Sequence, residues 1–168
     1  VSGTTPIVRI GLNAQQHIQR YLEAGAQGVL IPLVNTRADA EAVVNSVKYP
    51  PMGERGMYSG HSGHFGVLDT AEYVKAANAE TFIGLQIETP EAIENQDDII
   101  NTENADLIFL GPGDLSLNFG VPGQITHPQV VDTISDLTRK IRAAGKHAGT
   151  IVTDDYRTAQ RFLADVDS

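Results

Sequence analysis

The chain has 168 residues, 41% of them apolar and 20% charged, which suits one packed domain and is too little for two. Lys and Arg number 12 against 21 Asp and Glu, so the formal charge of −9 argues against a phosphate backbone as partner. The absence of cysteine removes disulfides, thiolate nucleophiles and thiolate metal sites, and no run reaches the ~20 apolar residues of a membrane span.

Five short apolar runs read as strands: Ile7–Ile10, Gly28–Val34, Thr81–Ile87, Ala105–Gly111 and His147–Val152. Their near-continuous apolar character predicts a parallel sheet covered on both faces. Helical patterns lie between them. Ala14–Ala24 sets Ile18, Tyr21 and Leu22 on one face and stops at Gly25, while Thr36–Val47 spaces Ala40, Val43, Val44 and Val47 at helical intervals. Asp69–Asn78 and Pro90–Ile100 follow. Pro128–Ala144 carries Val131, Ile134, Leu137 and Ile141 on one stripe, and Asp154–Leu163 forms a last helix. Strand and helix alternate, which predicts βαβ units with right-handed crossovers in a single α/β domain, 1–168. Tyr49–Val67 is a long Gly-, Pro- and His-rich loop, of the kind that usually serves function.

Ligands of βα architectures bind at the carboxyl ends of the strands. The candidates there are Arg9, the Pro32-Leu33-Val34-Asn35 stretch, Gln86-Ile87-Glu88-Thr89, Gly111-Pro112-Gly113-Asp114 and Thr153-Asp154. Glu88 and Asp114 are the most informative pair. Two carboxylates converging at one mouth repel unless a cation or a proton lies between them, and oxygen donors favour Mg²⁺ or Mn²⁺ over zinc. A helix cap or a solvated charge is the simpler reading of either acid alone, and a structural ion pair that of Arg9. His61 and His64 sit in the glycine-rich loop, where a surface role is expected. His17, His127 and His147 read as structural.

The ordered motifs carry a family likeness. Val8-Arg9, Tyr21-Leu22-Glu23-Ala24-Gly25-Ala26 and Val29-Leu30-Ile31-Pro32-Leu33-Val34 resemble the divalent-metal pyruvate aldolases. These are the hydroxyoxoheptanedioate and dehydrodeoxyglucarate aldolases, distantly related to the citrate lyase β-subunit. Tyr49-Pro50-Pro51-Met52-Gly53-Glu54-Arg55-Gly56, Gln86-Ile87-Glu88-Thr89, Gly111-Pro112-Gly113-Asp114-Leu115-Ser116, His127-Pro128 and Ala144-Gly145-Lys146 match in register. The likeness runs from Ile7 to Leu163.

This resemblance implies a (β/α)₈ barrel of the phosphoenolpyruvate/pyruvate type, here an arc of five βα units. It implies Glu88 and Asp114 as the protein ligands of Mg²⁺ or Mn²⁺, with pyruvate as chelating substrate. Arg9 would meet the enolate oxygen, Gln86 would assist, and the backbone at Pro112 and Gly113 would receive the carboxylate of a 2-oxo acid. Glu23 falls where the family has an acidic residue linked to proton transfer, and Arg55 is given no catalytic step. Family members also have two earlier βα units, bearing an acidic residue and a His for proton transfer, and a later strand with swapped terminal helices. A chain starting at Val1 and ending at Ser168 is therefore expected to be cut at both ends, with open sheet edges that favour aggregation. The implied assembly is a homo-oligomer, a hexamer in relatives. Cytoplasm is the expected compartment, because no signal peptide is visible. The alternatives are a citrate-lyase-like cleavage of a CoA thioester and an inactive α/β fragment.

Overall fold

A computed structural model describes residues 3–57 and 69–151. It contains five strands, β1 (Ile7–Arg9), β2 (Gly28–Ile31), β3 (Phe82–Ile87), β4 (Leu107–Leu110) and β5 (His147–Thr150). All neighbours pair in parallel, in the order β1-β2-β3-β4-β5. Each strand is added beside its predecessor, the progression of a (β/α)₈ barrel, and the chain forms a five-strand arc of one. The predicted helix Asp154–Leu163, the end of the fifth predicted strand, and His61 and His64 lie outside the described residues.

Seven helices are described: α1 (Gln15–Glu23), α2 (Arg37–Val47), α3 (Thr70–Glu80), α4 (Pro90–Glu94), α5 (Gln96–Ile100), α6 (Pro112–Asn118) and α7 (Pro128–Ala143). The apolar stripes dock them on the sheet. Ile18 and Leu22 of α1, Ala40, Val43, Val44 and Val47 of α2, and Ile134, Leu137 and Ile141 of α7 are buried with Val29, Ile31, Ile83, Leu85, Ile87, Ile108 and Leu110 from the strands. Capping agrees with the sequence. Thr36 and Asp39 form a capping box that starts α2, and Gly25 takes φ 105° just past α1, where a side chain would be strained.

Four expectations change. Tyr21 points to solvent at 44% exposure, because Ile18 and Leu22 already complete the narrow stripe of α1. Val130, not Val131, is the fully buried residue in the first turn of α7, and Val131 packs at the margin. Pro90–Ile100 is two short helices, broken at Asn95, which closes α4 and opens α5. The glycine-rich stretch after β4 folds as α6, with Pro112 in its first turn.

The amino-end face of the sheet is held by two lysines, Lys48 buried and Lys146 half-buried. Lys48 Nζ donates to the carbonyls of Asn78 (2.8 Å) and Thr81 (2.7 Å), and Lys146 Nζ to those of Thr102 (2.8 Å) and Ala105 (2.6 Å). Each lysine satisfies carbonyls where the chain leaves a helix for the next strand, Lys48 between α3 and β3 and Lys146 between α5 and β4. Burial lowers both lysines' proton affinity, and the Asp106 carboxylate opposes that shift in each case.

Candidate functional site

At the opposite, carboxyl end of the sheet, β1 ends in Arg9, β3 runs into Glu88, and β4 runs through Gly111 into α6 with Asp114 in its first turn. Parallel pairing sets these ends side by side, since Ile87 is in register with Leu110 and Arg9 with Leu30. Glu88 is 1% exposed although it bears a carboxylate. It is not a helix cap, because Thr89 caps α4 with its own hydroxyl. Nor is Asp114 a cap: Gly111 holds the N-cap position of α6 and Asp114 lies exposed on the first turn.

Both oxygens of Glu88 are held. Oε1 accepts the backbone N–H of Leu33 at 3.0 Å, and Oε2 accepts Gln86 Nε2 at 2.6 Å. The Glu88 carbonyl accepts Asn118 Nδ2 at 3.2 Å, and the same amide donates to the Asp114 carbonyl at 2.9 Å, which ties α6 to the end of β3. Burial raises the Glu88 pKa above the ordinary carboxylate range, opposed by the Leu33 N–H and raised further by a hydrogen bond and charge repulsion from Asp114. The Arg9 guanidinium pulls it back down. Glu88, Asp114 and Arg9 therefore form one electrostatic unit. Arg9 is itself exposed and makes no ion pair among the described residues.

Gly111 is needed for proximity. A Cβ there would lie 2.9 Å from both Cβ and Oε2 of Glu88, and 3.1 Å from Gln86 Nε2. At Gly113 a Cβ would meet nothing within 4 Å, so the backbone at the start of α6 faces open space. Gln86 Oε1 is the only buried side-chain polar atom without a partner among the described residues. Beside the Glu88 carboxylate, this oxygen is left able to accept a donor.

Glu23 is not part of this cluster. It closes α1, which runs back toward the amino ends of the strands, and its charge is felt by Tyr49 at that end. Arg55 also lies there, buried with its guanidinium carbon 4.6 Å from the centroid of the Tyr49 ring. Tyr49 in turn is edge-on to Tyr73, and its backbone N–H and carbonyl are both bonded by the Asn78 side chain. Arg55 thus packs on Tyr49, away from the Glu88 cluster. His127 is structural as well, its Nδ1 accepting the Gln129 N–H at the start of α7.

The donor set fits a hard divalent cation, and it does so on the structure's own terms. Two carboxylates within hydrogen-bonding reach of each other, one of them buried, either share a proton or share a cation. No cluster of three or more His, Cys, Asp or Glu exists among the described residues, so two carboxylates are what those residues supply here. That leaves most of an octahedron to small oxygen ligands, as Mg²⁺-type sites commonly do.

A sequential parallel βα sheet with a polar cluster at its strand carboxyl ends defines a protein of the (β/α)₈-barrel class. The chain belongs to the HpcH/HpaI aldolase/citrate lyase family, whose profile matches residues 1–168. It is 37% identical over 161 residues to the 2-keto-3-deoxy-L-rhamnonate aldolase of Salmonella gallinarum, covering 95% of this chain and 59% of that protein. Against the hydroxypyruvate/pyruvate aldolase of Roseobacter denitrificans it is 36% identical, covering 92% and 60%. Among solved structures, an HpcH/HpaI aldolase from Desulfitobacterium hafniense superposes with a TM-score of 0.88 at 34% identity, over 97% of this chain and 63% of that one. The citrate synthase SbnG superposes with a TM-score of 0.81 at 28% identity, over 93% and 60%. The chain thus spans about three-fifths of the length of these relatives.

Proposed function

We propose that this chain carries the metal- and pyruvate-binding part of a class II pyruvate aldolase, which cleaves or forms a carbon–carbon bond of a hydroxy-2-oxo acid to give pyruvate and an aldehyde. The observation that carries the reading is the buried Glu88 carboxylate, clamped on both oxygens and set against Asp114 with Arg9 beside it. Glu88 and Asp114 would hold Mg²⁺ or Mn²⁺. When bound, the cation supplies Lewis acidity toward an oxygen on which negative charge develops.

The chain's own groups do the rest. Arg9 places a second positive charge near that oxygen, which favours the enolate over the keto acid. Gln86 spends its N–H on Glu88 and leaves Oε1 to accept a hydrogen bond from a ligand. The backbone at Pro112 and Gly113 would receive a carboxylate at the first turn of α6, where Pro112 is buried and Gly113 is exposed with no side chain in the way. Glu23, at the far end of the sheet, takes no step in the site of the same chain.

The partner is a small 2-oxo acid rather than a nucleic acid or a membrane. The strongly acidic charge argues against a phosphate backbone as partner. Assembly as a homo-oligomer, hexameric as in relatives, and a cytoplasmic location belong to the same reading. The test is pyruvate release from a hydroxy-2-oxo acid in the presence of Mn²⁺, lost in Glu88→Ala and Asp114→Ala. The likeness to a citrate synthase supports a second reading, citrate-type or CoA-thioester carbon–carbon chemistry. Turnover of an acyl-CoA substrate alone would establish it and overturn the first. Absence of both activities and of Mn²⁺ binding would mark the chain as an inactive fragment.

A further inference from the structure

Two non-glycine residues have positive φ among those described, Leu33 at 53° and Asn104 at 62°. Asparagine tolerates this region, whereas leucine enters it against crowding between Cβ and the backbone. The Leu33 side chain gains little burial in return, for it is 57% exposed just past β2. What the conformation supplies is the direction of an N–H. Val34 N still reaches the Gln86 carbonyl at 3.3 Å, while Leu33 N turns onto Oε1 of Glu88 at 3.0 Å.

The turn is held from several sides. Thr89 Oγ1 donates to Asn35 Oδ1 at 2.6 Å, and Asn95 Nδ2 donates to the Asn35 carbonyl at 2.9 Å. The N–H groups of Asn35 and Thr36 both donate to Asp39 Oδ2, at 3.1 and 2.9 Å. A strained residue persists where its surroundings over-determine it, and such places cluster at functional sites. Here the surroundings are α2, through Asp39, and the segment that follows Glu88, through Thr89 and Asn95.

We infer that Leu33 is a positioning residue, whose left-handed backbone aims its amide at Glu88 and holds that carboxylate in the orientation needed to share a cation with Asp114. The inference rests on the reading of Glu88 and Asp114 as metal ligands. It assigns the role to the backbone conformation and none to the leucine side chain. Groups that orient a metal ligand typically change metal affinity by roughly 10- to 100-fold when lost.

The exposed side chain allows a test that leaves the core closed. Leu33→Gly and Leu33→Asn retain the N–H and accept the left-handed region, whereas the β-branched Leu33→Ile resists it. Mn²⁺ titration of the full chain, read from the free-ion electron paramagnetic resonance signal, should give Gly and Asn variants within about twofold of the parent and an Ile variant roughly tenfold weaker. An order that follows apolarity, with Ile retained and Gly and Asn weakened, would overturn the inference. So would equal affinity in all four chains.

A second arm needs no metal. Amide exchange at residue 33 should quicken at least roughly tenfold in Glu88→Ala, through loss of its acceptor, while the Val34 amide keeps its rate. An unchanged rate at residue 33 overturns the inference. If the parent chain binds no Mn²⁺ saturably, the metal reading falls, and the exchange arm alone decides whether Leu33 holds Glu88.

Discussion

Glu88 is the residue on which the site turns, and its surroundings make its titration predictable. Burial and Asp114 raise its pKa, so the folded state favours the protonated carboxyl more than the unfolded state does. The sign follows: this contribution to stability is complete below the ordinary glutamate pKa and is lost as pH rises through the raised one. Metal-free chain should therefore lose thermal stability across that window, and Glu88→Gln should flatten the loss. Mn²⁺ competes with the same proton, so its affinity should climb over the window and then level off. A pH-independent Mn²⁺ affinity would refute the shared-proton picture. Proximity gives a second prediction at this scale. In Gly111→Ala the new methyl meets Glu88 Cβ and Oε2 at 2.9 Å, so one of them must move. Overpacking of this kind costs about 1–3 kcal/mol, and displacement of the carboxylate should weaken Mn²⁺ roughly tenfold. Unaltered binding, measured by calorimetry, would show that Glu88 has room to yield.

At the scale of elements, the paired lysines of the amino-end face serve stability rather than chemistry. Lys48 is 3% exposed and answers two carbonyls that nothing else is shown to satisfy. Lys48→Met keeps the stem and deletes the donor, leaving both carbonyls buried without it. The expected loss is on the order of 2–4 kcal/mol in urea unfolding, with Mn²⁺ affinity unchanged because the site lies at the other end of the sheet. A loss below about 0.5 kcal/mol, the scale of an ordinary surface substitution, would mean that water replaces the ammonium. The elements themselves were legible to different degrees. Each strand lies within a short apolar run bounded by helical patterns, so all five and their parallel pairing follow from sequence. The break within Pro90–Ile100 does not, because Asn95 bends there while its side chain bonds the distant Asn35 carbonyl. Helix α6 was hidden by its own composition, since Gly, Pro and Asp read as turn residues and Pro112 is in fact a first-turn residue. The same division runs through the site. Glu88, Asp114 and Arg9 are visible as charges at strand ends. The Leu33 amide and the Asn118 bridge are not, because a left-handed leucine and an asparagine spanning two elements leave no local pattern.

For the whole molecule, the site lies where separate parts of the fold meet. Glu88 belongs to the end of β3, Asp114 to α6 and Arg9 to β1, while Leu33 reaches in from beyond β2. A cation held by Glu88 and Asp114 would link β3 to α6, so binding should be felt as global stability. A ligand that binds only the folded state at 100 times its Kd adds about 2.7 kcal/mol. For a domain of this size each kcal/mol moves Tm by roughly 2–4 °C, so saturating Mn²⁺ should raise Tm by about 5–10 °C and EDTA should reverse it. The charge of −9 complicates the reading, because an acidic surface attracts cations without a site. Two comparisons separate the effects. Diffuse attraction is screened by 0.3 M salt, whereas a shift that comes from the carboxylate pair should survive it. The double variant Glu88→Ala with Asp114→Ala leaves the remaining acidic residues in place and should lose the shift. If that variant still gains the full increment, the stabilisation is a property of the surface, and the strand-end carboxylates are not where the cation binds.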